Sequence, residues 1–150
     1  MKQLGGHATG IVGLPVEDCF ALLAAVDRYP VWFDAVRDVE VLERNEVGGP
    51  VTAWAKLHVN QSPIRKDFEL VLSVETERDG VVRLTRLHED SSDHDQLRLS
   101  WSLRGNGETR IDLEFYATVS FLPRVLPLGG VGHLIAGTVL EAATTALAAR

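Results

Sequence analysis

The sequence predicts an α+β domain: an antiparallel sheet of about seven strands, two short helices after the first strand, and a long helix at the C-terminal end. Three observations predict it. Successive segments between residues 38 and 121 alternate apolar and polar side chains and are divided by short turns, which is the pattern of an antiparallel meander. One face of these segments is apolar throughout, so the sheet needs a cover. The stretch 126–149 has a helical period, many small residues and few charges, and so supplies that cover.

The elements follow in order. Gly10–Leu14 is a short apolar run that suits a first strand. Pro15, with Glu17 and Asp18 behind it, opens a helix: proline is tolerated at the first helical position and acids there suit the dipole. Val16, Cys19, Phe20, Leu23 and Val26 then recur at helical spacing. Asp27 fits the N-cap of a second short helix, with Pro30 near its start and its end near Ala35. Strands are expected over "DVEVLERNE", Val51–Val59, Asp67–Glu75, Val81–Glu89, Leu97–Arg104 and Ile111–Phe121. Turns are expected at 48–50, 60–63, 77–80 and 105–108, with a polar loop at 90–95.

Composition excludes several function classes. With 150 residues, 45% hydrophobic and 24% charged, the chain reads as one domain over 1–150 with one sizeable core. A net charge of −6 and no basic run argue against nucleic acid or an anionic membrane surface as partner. Cys19 is the only cysteine, so there is no internal disulfide and no four-thiolate zinc site. The opening "MKQLGGHATG" carries no apolar signal segment, and "VGHLIAGTVL" is too short to span a bilayer, so a cytoplasmic location is expected.

The stretch "LPVEDCFALLAAVDRYPVWFDAVRDVEVLER" (14–44) has a Pro-led helix, an Asp, an aromatic–Pro pair, a Trp and a Val-rich strand. "LPRVLPL" (122–128) leads into the glycine- and alanine-rich helix. Together with the element order, these stretches resemble the START-like, helix-grip superfamily (SRPBCC), which includes the polyketide cyclase/dehydrase and lipid-transport family. The resemblance implies a curved sheet wrapped around the C-terminal helix, a cavity between them, and a small hydrophobic ligand (lipid, quinone or polyketide-like). The binder is the leading reading; the alternative the resemblance permits is a polyketide aromatase/cyclase or dehydratase, because one fold hosts many activities.

The segment 27–36, "DRYPVWFDAV", concentrates Tyr29, Trp32 and Phe33 in a chain with three Trp, two Tyr and five Phe. Trp32 and Phe33 either wall the cavity or plug the core. Trp101, Phe68 and Phe115 lie on apolar strand faces, whereas Trp54 shares a face with Thr52, Lys56 and His58, and its direction is open. In "VVRLTRLHE" the face Val82, Leu84, Arg86, His88 starts more apolar and is expected to look inward, which makes Arg86 a cationic donor in an apolar cavity. The expected ligand-binding set is Trp32, Phe33, Trp54, Phe68, Leu84, Arg86, Trp101, Phe115, His133 and Gly137. In an enzyme, Arg86 would stabilise enolate charge and His88 or Tyr29 would move the proton. The loop "HEDSSDHD" (88–95) has metal-binding residue types without tetrahedral spacing, so neither metal nor cofactor is expected. Gly129, Gly130, Gly132 and Gly137 would let ligand or sheet approach the helix backbone closely. A third reading is an interaction protein, such as a homodimer that buries the exposed face of the last helix.

Overall fold

In the computed structural model, which describes residues 2–88, 94–122 and 128–150, a seven-stranded antiparallel sheet has the order β1-β7-β6-β5-β4-β3-β2. β1 is Lys2–Val12. It is followed by α1 (Val16–Ala24), a single 3-10 turn at Val26–Arg28, and α2 (Tyr29–Trp32). Then come β2 (Val36–Arg44), β3 (Pro50–Gln61), β4 (Ile64–Glu77), β5 (Val81–Leu87), β6 (Leu97–Arg104) and β7 (Thr109–Val119). The chain closes with α3 (Val131–Ala148). The sheet curves around one concave face, on which α3 packs chiefly against β1 and β7. This is the helix-grip α+β arrangement expected from the meander and its single apolar face.

Alternation sets which side chains enter that face. Val74, Leu84, Leu99 and Phe115 stand opposite one another across β4 to β7, as do Val82, Trp101 and Leu113 across β5 to β7. The second row belongs to a tight core: Val82, Trp101, Ile111 and Leu113 are fully buried, and α1 lies over β5 and β6 at this end. Cys19 of α1 is buried there too, and burial pushes its thiol above the ordinary range. The thiol therefore stays protonated and behaves as a small hydrophobe.

Several boundaries differ from the sequence reading. β1 starts at Lys2 rather than Gly10, because it pairs with β7 along its whole length, from Lys2 opposite Val119 to Val12 opposite Thr109. Its inward positions, Leu4, Gly6, Ala8, Gly10 and Val12, are mostly small, so the alternation carries little hydropathy signal. They are small because α3 crosses close by: a Cβ on Gly6 would lie 2.0 Å from the Gly132 carbonyl oxygen. Asp27 does not cap α2. It lies inside the 3-10 turn, and Arg28 holds the cap position without a side-chain hydrogen bond. α2 ends at Trp32, where Phe33 turns extended. β5 ends at Leu87 and β7 at Val119, both earlier than expected, and α3 begins at Val131 behind Gly130, whose φ is +80°. Residues 89–93 and 123–127, which include much of the candidate metal loop and of "LPRVLPL", lie outside the described residues.

Candidate ligand cavity

The far end of the concave face is hollow. A cavity of about 580 Å³ lies between α3 and the floor formed by β3, β4 and β5. Small or branched residues make the floor: Ala53 faces Leu72, Ala55 faces Leu70, and Leu57 faces Phe68 across β3 and β4. Ile135, Val139 and Ala142 of α3 form the roof. Phe68 and Phe121 meet edge to face with centroids 5.8 Å apart, and Lys66 Nζ sits 4.3 Å from the Phe121 centroid. Such a mostly apolar space with a few polar groups is the usual form of a small-molecule site.

The aromatic cluster of 27–36 forms one wall. Tyr29 and Trp32 have ring centroids 4.8 Å apart, and Trp32 stacks on Phe33 at 6.0 Å. Tyr29 anchors the group: it is buried, and its hydroxyl donates to the Leu23 carbonyl oxygen at 2.6 Å. Burial pushes that hydroxyl above its ordinary range, with Trp101 acting in the opposite direction. The indole N–H of Trp32 is shielded from water and has no hydrogen-bond partner among the described residues.

Arg86 stands in the row of Leu72 and Ala53 and lines the cavity. Its Nη1 donates to the Asp95 carbonyl oxygen at 3.0 Å, and His88 Nε2 donates to the same oxygen at 2.6 Å. Asp95 is itself buried and pinned by its carboxylate. Oδ1 accepts from Thr118 Oγ1 at 3.3 Å, and Oδ2 accepts from the Ser120 backbone N–H at 3.1 Å and from its hydroxyl at 2.8 Å. The Gln96 N–H donates in turn to Thr118 Oγ1 at 2.7 Å. The carboxylate thus fixes the backbone that holds Arg86. Hydrogen-bonded carboxylates of this kind are the usual way a buried charge is tolerated.

Of the expected ligand-binding residues, Trp32, Phe33, Phe68, Leu84, Arg86 and Phe115 line this space, and so does Tyr29. The others do not. Trp54 faces Glu40 and Val71 on the outer side of the sheet, because its position has the opposite parity to Ala53 and Ala55. Trp101 is inward but one row further on, in the filled end under α1. His133 is exposed at the start of α3, where Nδ1 accepts the His7 backbone N–H at 3.3 Å. Gly137 looks away from the sheet, with nothing within 4 Å of where its Cβ would be, whereas a Cβ on Gly132 would lie 2.2 Å from the Gly5 carbonyl oxygen. The close approach expected of the helix glycines is therefore made by Gly132 to the sheet. His88 is held beside Arg86 but outside the lining. Sequence reasoning missed Asp95, Thr118 and Ser120. Asp95 sat in a polar loop without pattern, and the two hydroxyls occupied the nominally outward positions of β7.

A sheet gripping one long helix around an apolar cavity defines a START-like (SRPBCC) ligand-binding fold. The chain belongs to the family described as polyketide cyclase / dehydrase and lipid transport, whose sequence model matches residues 12–144. Among solved structures it is similar to a START superfamily protein from Mycobacterium smegmatis, with TM-score 0.73 and 19% identity over 96% of this chain and 94% of that one. A conserved protein from Geobacillus kaustophilus gives TM-score 0.71 and 15% identity over 97% and 95% of the two chains. The Zhui aromatase/cyclase from Streptomyces sp. R1128 gives 0.62 and 16% over 99% and 91%. At these identities the likeness is one of fold. No curated protein sequence matches. α3 is long and apolar enough to cross a membrane by length and composition, but here it is the core helix against the sheet.

Proposed function

We propose that this chain, as a single domain over residues 1–150, binds a small apolar molecule of lipid, quinone or polyketide type between its sheet and α3, with Arg86 orienting the ligand's polar end. One observation carries the reading: a void of about 580 Å³ in a fold of 150 residues, where protein interiors otherwise leave few spaces larger than a water molecule. Burial of apolar ligand surface, at about 25 cal/mol per Å² before ordering costs, drives binding. The guanidinium supplies direction, since it offers charge-assisted donors in an apolar surround. The reading needs no cofactor, and a lone buried cysteine suits a reducing compartment such as the cytoplasm.

An aromatase/cyclase or dehydratase would use the same cavity, with Arg86 stabilising enolate charge; the likeness to the Zhui aromatase/cyclase and the placement of His88 beside Arg86 favour considering it. Against it, both proton-transfer candidates are engaged by the protein. Tyr29 donates to the Leu23 carbonyl and His88 to the Asp95 carbonyl. The homodimer reading rests on Leu134 of α3, which is 57% exposed. Light scattering that returns the dimer mass for wild type and the monomer mass for Leu134→Glu would support it.

Native mass spectrometry of freshly purified protein, followed by solvent extraction, tests the binding reading. A retained lipid, quinone or polyketide is expected. Arg86→Ala should then weaken binding of a carboxylate-bearing aromatic probe about tenfold to a hundredfold, the worth of a hydrogen bond to a charged group. Wild-type affinity in Arg86→Ala would remove Arg86 from the reading. Protein that carries no small molecule and binds no apolar probe would remove the cavity from it.

A further inference from the structure

We propose that Asp95 is a positioning residue for Arg86: an acid that sets where the guanidinium points, so that the cavity selects an apolar molecule ending in a carboxylate over its neutral amide. The inference deepens the ligand-binding reading above and rests on it. Arg86, Asp95 and Thr118 line the cavity, whereas Ser120 lies outside the lining. The pairing of β5 with β6 runs from Val81 opposite Ser102 to Thr85 opposite Arg98. Past that pair the Asp95 carbonyl oxygen takes side-chain donors, Arg86 Nη1 at 3.0 Å and His88 Nε2 at 2.6 Å. The guanidinium is thereby tied to the main chain at the end of the sheet.

That tie is as firm as the backbone that offers it. Residues 95 and 96 are stitched to the end of β7. The Thr118 N–H donates to the Gln96 carbonyl at 3.0 Å, and the Gln96 N–H donates to Thr118 Oγ1 at 2.7 Å. The Asp95 carboxylate adds the Thr118 hydroxyl at 3.3 Å, the Ser120 N–H at 3.1 Å and the Ser120 hydroxyl at 2.8 Å. Asp95 is 7% exposed, and a buried carboxylate keeps such bonds because losing one leaves its charge poorly compensated. A guanidinium is a planar fork, so a fixed bond at Nη1 sets the plane in which its other N–H groups point. The ligand then meets a donor that needs little ordering on binding. As a bare charge Asp95 would do the opposite, since a negative group beside the site repels an anionic ligand. Position and charge therefore predict opposite signs when Asp95 is removed.

The test uses the full chain and two probes of nearly equal shape, 2-naphthoate and 2-naphthamide. Equilibrium dialysis at pH 7 gives their affinity ratio for wild type, Asp95→Ala, Ser120→Ala, Arg86→Ala and the Asp95→Ala, Arg86→Ala double variant. Wild type should favour naphthoate. Asp95→Ala should cut that preference about threefold to tenfold, the worth of one hydrogen bond, even though it removes a negative charge. Ser120→Ala should shift the ratio the same way by a smaller factor. With Arg86 already replaced, Asp95→Ala should lower the ratio no further. A general loosening of the fold would weaken both probes alike and leave the ratio in place. A ratio that holds or rises in Asp95→Ala, or one that falls equally without Arg86, overturns the inference and leaves the cavity reading intact. Should Asp95→Ala fail to fold, the exposed Ser120 carries the test, and an unchanged ratio in Ser120→Ala overturns the inference. Failure of wild type to bind either probe overturns both.

Discussion

At the residue scale, position on a strand decides which of several similar side chains reaches the site. Arg83, Arg86 and Arg98 all lie on strands, but only Arg86 has the inward parity of Leu84 and stands over the hollow part of the face. That much was legible, because alternation in "VVRLTRLHE" already turned Arg86 inward. The role of Asp95 was not legible, since it depends on Thr118 and Ser120, which come near only when β6 and β7 pair. Asp112 centres a second hydrogen-bonded carboxylate site near the other end of β7. It accepts the Thr9 hydroxyl at 2.6 Å and lies 3.3 Å from Arg110 Nε and 3.7 Å from Arg104 Nη2. The Thr9 hydrogen bond, helped by the two arginines and opposed by partial burial, holds its carboxyl below the ordinary aspartate range. A depressed folded-state value contributes stability above the unfolded value of about 3.9, and that contribution is lost as pH falls through the folded value. Asp112→Asn should therefore lower the urea midpoint at pH 7, and the gap to wild type should close as pH is taken well below 4. A gap that stays constant over that range would mean the carboxylate charge is not what stabilises the protein.

At the element scale, the meander was readable from period and turns, whereas β1 was not, and the reason is packing rather than propensity. Its inward positions are small so that the backbone of α3 can lie on it, and the hydrophobic alternation is lost with them. The same contact predicts opposite outcomes for two glycines of one helix. In Gly132→Ala the new methyl would meet backbone, the Gly5 carbonyl oxygen at 2.2 Å, which cannot rotate away. Helix and strand must separate, and a loss of about 1–3 kcal/mol is expected, the range for overpacking. In Gly137→Ala the methyl meets nothing within 4 Å, and the helix interior gains from reduced freedom of the unfolded chain. A gain of about 0.4–1 kcal/mol is expected there. Urea unfolding of the two variants side by side checks the pair, and equal effects would contradict the close crossing of β1 and α3.

At the scale of the whole molecule, one sheet serves two interiors. The main core runs through α1, α3 and the row of Trp101 and Leu113, while Ala55, Leu70 and Leu72 form a separate small cluster on the floor of β3 and β4. Val39, Leu57 and Leu97 pack against both, and residues of both line the cavity. The sequence showed an apolar face needing a cover, but not that the cover reaches only part of it, because curvature and helix position are collective properties of all seven strands. The division makes the sign of one substitution diagnostic. Ala55 is 2% exposed, and in a filled core an alanine-to-leucine change there would overpack at a cost of about 1–3 kcal/mol. Because Ala55 lines the cavity, the longer side chain instead enters empty space and buries its added carbons. Ala55→Leu should therefore stabilise the ligand-free protein by up to about 2 kcal/mol, a rise in melting temperature of several degrees. It should at the same time weaken binding of an apolar probe, since the side chain takes up room the ligand would use. Calorimetry with and without probe measures both effects. Lower stability with unchanged probe affinity would mean that the hollow half of the sheet closes on itself and that ligands bind elsewhere.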